Sequence, residues 1–215
     1  TRCAISPRDL SDGFARVVVD PKDYNLVYKP DFNLAVSTDG GQSFASRGGR
    51  AHSDFHAVWV NPNDTFNLFV GTDGGVYVSD DKANTFKFLS NLPVAQFYHA
   101  SFDMEQPYNV YGGLQDNGSW MAPSASPNGV ENKDWRNVGF GDGFHVYPDP
   151  TDRDVVYSEF QGGNVLRFHK STGETKLIKV FPKQGEPKYR FNWNTAMHLS
   201  PTNPKVLYIG GQFLF

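Results

Sequence analysis

Three aspartates carry the residue types and settings that could do chemistry. Asp73 lies in Gly71-Thr72-Asp73-Gly74-Gly75, Asp116 in Leu114-Gln115-Asp116-Asn117-Gly118, and Asp142 in Gly141-Asp142-Gly143-Phe144. Two carboxyls about 5 Å apart suit retaining glycoside hydrolysis, and about 6.5–9.5 Å suits inversion. One of the two must hold its proton, and burial against an aromatic wall such as Trp120 or Trp193 would supply that. The same neighbourhoods hold groups suited to binding without turnover: Asp54 and His56, then Gln115, Asn117 and Trp120, then Asn192, Trp193 and Asn194. Aromatic faces stack on sugar rings or side chains, while amides read hydroxyls and backbone groups. A glycan- or peptide-binding face is the expectation, and a glycoside hydrolase using an Asp pair is the alternative. Beside both stands a structural role, in which the Asp residues cap turns and the amides tie neighbouring elements together.

Other chemistries fit less well. His52 and His56 flank Asp54, but residues four apart on a strand lie roughly 13 Å apart, too far for one ion. His99 and His145 read as core histidines that hydrogen-bond between neighbouring repeats. Sialidase chemistry calls for clustered arginines, and these segments offer Arg190 and Arg16 alone. No metal and no cofactor is expected.

The elements that must position these residues are set by an internal repeat. Val18-Val19-Asp20-Pro21 followed by Asn25-Leu26-Val27-Tyr28 matches Trp59-Val60-Asn61-Pro62 followed by Asn67-Leu68-Phe69-Val70. The frame returns at Asp103, Asp149 and Ser200, a period of roughly 40 to 50 residues, as expected for a four-stranded propeller blade. Each unit reads as an inner strand, the anchor turn, a second strand, a Gly-rich bend and a third strand. The bends supply Asp73, then Gln115, Asp116 and Asn117, then Glu159 and Gln161, then Gln212. The inner strands start near Asp12-Gly13-Phe14, Asp54, Gln96, Asp142 and Trp193. Bends and starts should converge on one mouth of a central channel. Polar groups recurring at one level are costly to bury unless bonded or wet, so the mouth should be hydrated.

Two later turns share a Ser-x-Asp pattern. Ser37-Thr38-Asp39-Gly40-Gly41-Gln42-Ser43-Phe44 is a full Asp-box, and Ser79 to Phe86 repeats it with Ala83 in place of a glycine. The Asp should accept backbone N–H groups of its own turn, which makes Asp39 and Asp81 structural. The fold class is therefore all-β: a β-propeller of four-stranded antiparallel blades with Asp-box turns, as a fragment of a larger propeller. Residues 1–10 read as the tail of a preceding blade, 11–48, 49–92, 93–140 and 141–190 as blades, and 191–215 as a partial blade. Further blades of the parent chain, or another copy, would close the ring, because an unpaired blade exposes apolar faces.

Composition agrees. The chain has 215 residues with 15% aromatic residues, 21 Gly and 14 Pro, a balance that favours short strands and turns. A net charge of −3 and the lack of a basic stripe argue against a nucleic-acid partner. No apolar run approaches the ~18 residues of a membrane span.

At these residues the chain resembles a known group. Asn91 to His99, Tyr111-Gly112-Gly113-Leu114-Gln115-Asp116-Asn117-Gly118-Ser119-Trp120, Gly141 to Phe144 and Tyr189 to Asn194 resemble bacterial sortilin-like (VPS10-type) BNR-repeat propeller proteins, commonly labelled glycosyl hydrolases. The resemblance implies a secreted, periplasmic or cell-surface location and a larger parent. A more distant similarity is to the glycoside hydrolase family 74 xyloglucanases, whose catalytic base lies in a Thr-Asp-x-Gly-Gly-x-Tyr bend. Thr72-Asp73-Gly74-Gly75-Val76-Tyr77 is one residue shorter.

Overall fold

The computed structural model describes residues 16–92 and 94–215. Residues 1–15, including the strand start read at Asp12-Gly13-Phe14, lie outside the described residues, as does Pro93. The chain divides into two compact units, Thr1–Leu92 and Pro93–Phe215.

The first unit holds two four-stranded antiparallel sheets. One is made of β1 (Val18–Val19), β2 (Val27–Lys29), β3 (Leu34–Ser37) and β4 (Ala45–Arg47). The other is made of β5 (Phe55–Val60), β6 (Leu68–Thr72), β7 (Gly75–Ser79) and β8 (Lys87–Phe88). Strands follow one another in chain order in both, as short β-branched and aromatic runs separated by turn formers should. Leu34, Val36 and Tyr28 of the first sheet and Phe55, Leu68 and Val70 of the second form a common core.

The second unit repeats the plan. β9 (Phe97–Phe102), β10 (Asn109–Leu114), β11 (Gly118–Pro123) and β12 (Arg136–Gly139) form one sheet. β13 (Gly143–Pro148), β14 (Val155–Phe160), β15 (Asn164–His169) and β16 (Thr175–Leu177) form the next. β17 (Met197–Leu199) and β18 (Leu207–Ile209) make a two-stranded sheet. Tyr111, Val138, Val146 and Val156 fill the space between the first two sheets, and Val165, Met197 and Ile209 join the last two. The architecture is thus all-β and built of repeated, blade-like sheets. Each sheet is open, and the described residues form no closed ring.

The repeat has one hydrogen-bond signature. The anchor N–H donates to the carbonyl six residues on at all five turns: Asp20 to Leu26, Asn61 to Asn67, Asp103 to Asn109, Asp149 to Val155 and Ser200 to Val206. The anchor side chain caps the same turn. Asp20 Oδ1 accepts from Lys22 N at 2.8 Å, Asn61 Oδ1 from Asn63 N at 3.0 Å, and Asp149 Oδ1 from Thr151 N at 2.8 Å. Side-chain oxygens of this kind substitute for a strand partner where the chain reverses.

The two Ser-x-Asp turns also share one bonding set. Asp39 Oδ1 accepts from Gln42 N at 3.0 Å and Ser43 N at 2.9 Å, and its Oδ2 from Ser43 Oγ at 2.6 Å. Asp81 does the same with Asn84 N at 3.0 Å, Thr85 N at 2.8 Å and Thr85 Oγ1 at 2.7 Å. Where the first turn has Gly41 at φ 85°, the second holds Ala83 at φ 64°. A methyl is therefore carried in a left-handed conformation that disfavours it, and Ala83 is wholly buried in the core.

Candidate functional site

In the first unit the structure brings Asp54, His56 and Asp73 together. Asp54 has a left-handed backbone (φ 61°) just before β5, which turns the chain into the strand. Its carbonyl accepts from Asp73 N at 3.3 Å across the β6–β7 bend. His56 Nε2 meets Asp73 Oδ1 at 2.6 Å, with both side chains partly exposed. A carboxylate held this way orients the imidazole and fixes its tautomer. Gly74 is needed beside it, because a Cβ there would lie 2.4 Å from the His52 Cβ.

In the second unit a chain of hydrogen bonds links bends to strand starts. Asp116 sits at φ 62° in the β10–β11 bend, a strained setting of the kind that clusters at functional sites. Its N–H donates to Asp142 Oδ1 at 2.8 Å, and the Asp142 N–H donates to Gln161 Oε1 at 2.8 Å in the β14–β15 bend. From that bend Gly162 N donates to the Trp193 carbonyl at 3.1 Å. Asn194 Nδ2 then meets His99 Nε2 on β9 at 3.2 Å. The segments carrying Asp116, Asp142, Trp193 and Asn194, scattered over the sequence, are therefore hydrogen-bonded in series.

The remaining residues of this region support the bend of the third sheet. The Tyr98 hydroxyl donates to Gln115 Oε1. Asn117 Nδ2 donates to the Gln115 carbonyl at 3.0 Å, and Trp120 Nε1 donates to the Asn117 carbonyl at 2.6 Å. Trp120 is half-buried on β11, whereas Trp193 is 61% exposed and Tyr98 45% exposed. Asn192 accepts from Thr195 Oγ1 at 2.7 Å, which closes the bend before β17. A cleft of about 510 Å³ opens beside this bend, between Arg190, Asn192, Asn194 and Gln212.

Of the two histidines expected to hydrogen-bond between repeats, His99 does so, to Asn194, but it is exposed rather than in the core. His99 and His145 stack, with ring centroids 4.1 Å apart and planes within 10°. His198, which the sequence reading passed over, packs edge-on against Tyr147, centroids 5.7 Å apart. The inner strands β9, β13 and β17 thus present imidazoles side by side. Burial, and then His99 and His198, pull the His145 pKa down to about 4, so this ring is neutral at physiological pH. Among the described residues no group of three or more His, Cys, Asp or Glu is arranged to hold a metal ion.

A further carboxyl lies beneath the face. Glu159 on β14 is wholly buried. Burial pushes its pKa up to about 8, against the opposing pull of the Thr195 backbone N–H. It has the raised pKa that a general acid needs, but no substrate can reach it there.

No family model and no curated protein matches the chain. Among solved structures it is similar to an ancestral GH74 enzyme, at 19% identity over 93% of this chain and 27% of that one, TM-score 0.37. It is also similar to a GH74 enzyme of Niastella koreensis, at 16% identity over 93% of this chain and 35% of that one, TM-score 0.40. A third is YCF48 bound to D1 peptide, at 10% identity over 87% of this chain and 71% of that one, TM-score 0.36. The chain spans about a third or less of the two GH74 enzymes.

Proposed function

We propose that the chain is part of an extracellular β-propeller with Asp-box turns, of the sortilin-like kind, that binds a glycan or a peptide. The binding face is built from the bends around Asp116 and Gln161 and the strand starts around Asp142 and Trp193. The observation that carries this reading is the use made of Asp142. The residue is 6% exposed, and its carboxyl accepts the Asp116 N–H at 2.8 Å. A buried carboxylate spent on a backbone donor is poorly placed to activate water or protonate a leaving group. What the face offers outward is Trp193 and Tyr98 among amides, the composition of a binding surface for hydroxyl-rich or peptide ligands. Further blades, from the parent chain or another copy, complete the ring in this reading, since stacked repeats bury their faces only against neighbours.

The hydrolase alternative is favoured by one contact, that of His56 with Asp73 at 2.6 Å, because an oriented carboxylate is what acid–base chemistry requires. One experiment separates the two. The chain is titrated calorimetrically with a panel of neutral polysaccharide oligomers and of unstructured peptides, and each mixture is assayed for cleavage. Binding that weakens about tenfold or more in Trp193→Ala, without cleavage, supports the proposal. Cleavage abolished by Asp73→Asn or Asp116→Asn would replace it with the hydrolase reading.

A further inference from the structure

The net charge of −3 conceals one basic stretch. Residues 175–190 hold five of the 20 Lys and Arg, namely Lys176, Lys179, Lys183, Lys188 and Arg190, but one of the 23 Asp and Glu, Glu186. The stretch leads from β16 to the cleft before β17 and is pinned at both ends. Lys179 Nζ donates to the Gly162 carbonyl at 3.0 Å in the β14–β15 bend and to Asn164 Oδ1 at 3.1 Å at the start of β15. At the far end the Arg190 N–H donates to Gln212 Oε1, and Gln212 N donates to the Arg190 carbonyl at 3.2 Å. Tyr189 packs on Phe215 with ring centroids 4.7 Å apart.

The molecule does not neutralise these cations. Among the described residues no ion pair joins any of the five. Glu186 uses its carboxyl on a turn, where Oε2 accepts from Lys183 N at 3.2 Å. Two of the five cations stand at the cleft. Arg190 is the one charged residue among the described residues that line it. Lys179 lies over Phe191 on the wall of the same cleft, 5.8 Å from the ring centroid. Lys179 is half-buried, and two neutral oxygens take up two of its three N–H donors. One donor and a whole charge are left over, and a cleft lined by one sign of charge concentrates ligands of the other. The carboxyls of the face lie elsewhere. Asp116 and Asp142 meet at the seam with sheet β9–β12, and Glu159 is wholly buried.

We propose that this end of the face binds an acidic polysaccharide, a chain with a carboxylate on each pyranose ring. The inference rests on the binding reading and names the ligand class of that site. Arg190 meets one carboxylate with its planar fork, and Lys179 meets another. Trp193, exposed in the same bend, stacks on a ring, and Asn192 and Asn194, which line the cleft, read hydroxyls. A uronate chain presents a carboxylate, hydroxyls and an apolar ring face in every unit, and the site has a group for each. An acidic peptide brings carboxylates without ring faces for Trp193. A nucleic-acid strand draws its affinity from many phosphate contacts along a basic track, and here two cations stand at the cleft.

The test is calorimetric titration of the chain at low salt with hexamers of galacturonate, glucuronate and mannuronate, the methyl ester of each, an oligoglutamate peptide and a thymidine oligonucleotide. At least one uronate should bind about tenfold or more tightly than its own ester. That margin should shrink at about 1 M salt, where the Debye length is about 3 Å. Arg190→Gln and Lys179→Gln should each remove most of it. Lys205→Gln takes the same charge from an exposed residue at the opposite end of the β17–β18 hairpin and should leave the margin intact. If Lys179→Gln does not fold, the exposed Arg190 decides alone. No preference for uronate over ester, or tighter binding of the peptide, would overturn the proposal and leave the binding reading standing. Tighter binding of the oligonucleotide, or binding in no arm, would overturn both.

Discussion

Gly113→Ala tests whether the sheets of the second unit are joined backbone to backbone. The added methyl would lie 2.2 Å from the Gly143 carbonyl carbon, 2.3 Å from Phe144 N and 2.5 Å from Gly143 O. Backbone cannot rotate away as a flexible side chain would, so β13 must move outward by more than an ångström. That movement strains the contacts that stitch the two sheets: Asp116 N to Asp142 Oδ1 at 2.8 Å, Gly118 N to the Gly141 carbonyl at 2.9 Å, and the Ser101 hydroxyl to the Val146 carbonyl. Overpacking costs about 1–3 kcal/mol, and a lost hydrogen bond to a carboxylate about 1.5–3 kcal/mol. Together they give about 2.5–6 kcal/mol. With a urea slope of about 1–3 kcal/mol/M, the midpoint falls by about 0.8 M or more. The assay is urea unfolding followed by tryptophan fluorescence, because Trp120, Trp135 and Trp193 all lie in this unit. Gly71→Ala is the control, since its Cβ would stand 3.6 Å from the Ala57 Cβ, an ordinary contact. It should change stability by less than about 1 kcal/mol. If Gly113→Ala unfolds within about 0.5 kcal/mol of the parent, the sheets are not in direct backbone contact and the face assembled across them is misdrawn.

Two further outcomes follow from single side chains. Tyr111→Phe deletes a hydroxyl that donates to Asp103 Oδ2 at 2.7 Å and should cost about 1.5–3 kcal/mol. The equivalent Tyr28 hydroxyl is buried without a partner, so Tyr28→Phe should be neutral or stabilising by about 1 kcal/mol; thermal melts that reverse this order would contradict the repeat register. The Ser43 and Ser37 hydroxyls and the turn amides hold the Asp39 pKa below the ordinary carboxylate range. Its contribution is therefore present above that range and lost as the pH falls through the depressed value, so Asp39→Asn should weaken the acid dependence of melting between pH 2 and 5, and an unchanged slope would refute the role.

The anchor turns were legible in sequence because their chemistry is local. Asp20, Asn61 and Asp149 cap amides two residues away, so the residue type and its Pro or Asp neighbours suffice. The Ser-x-Asp turns were legible for the same reason, with Ala83 visible as a departure though not as a buried one. The face was legible only as a set of levels. That the Asp116 N–H would donate to the Asp142 carboxyl depends on how two sheets are offset, which no local pattern records. Glu159 appeared among polar residues of the bends, but its burial is decided by Thr195, thirty-odd residues on. His198 was missed because it stands two residues before its anchor, whereas His99 and His145 stand four before theirs; its place in the row shows only in its edge-on contact with Tyr147.

The contrast between the two sheet interfaces of the second unit bears on how such a face would respond to a ligand. In a stack of repeats, stability is roughly a sum of unit and neighbour-interface contributions, so a weak interface opens first. Sheet β9–β12 meets β13–β16 through glycine backbone and through the Asp116–Asp142 bond. Sheet β13–β16 meets the two-stranded β17–β18 sheet through Val165, Met197, Ile209 and the buried carboxyl of Glu159, which accepts the Thr195 N–H. The second interface is the sparser, since β9 and β10 both pack along β13 whereas β17 meets it at a few residues only, and it is the one beneath Asn192, Trp193 and Asn194. A ligand that contacts Trp193 together with the bend at Asp116 would therefore draw its coupling energy from seating this sheet, binding the closed arrangement and excluding the open one.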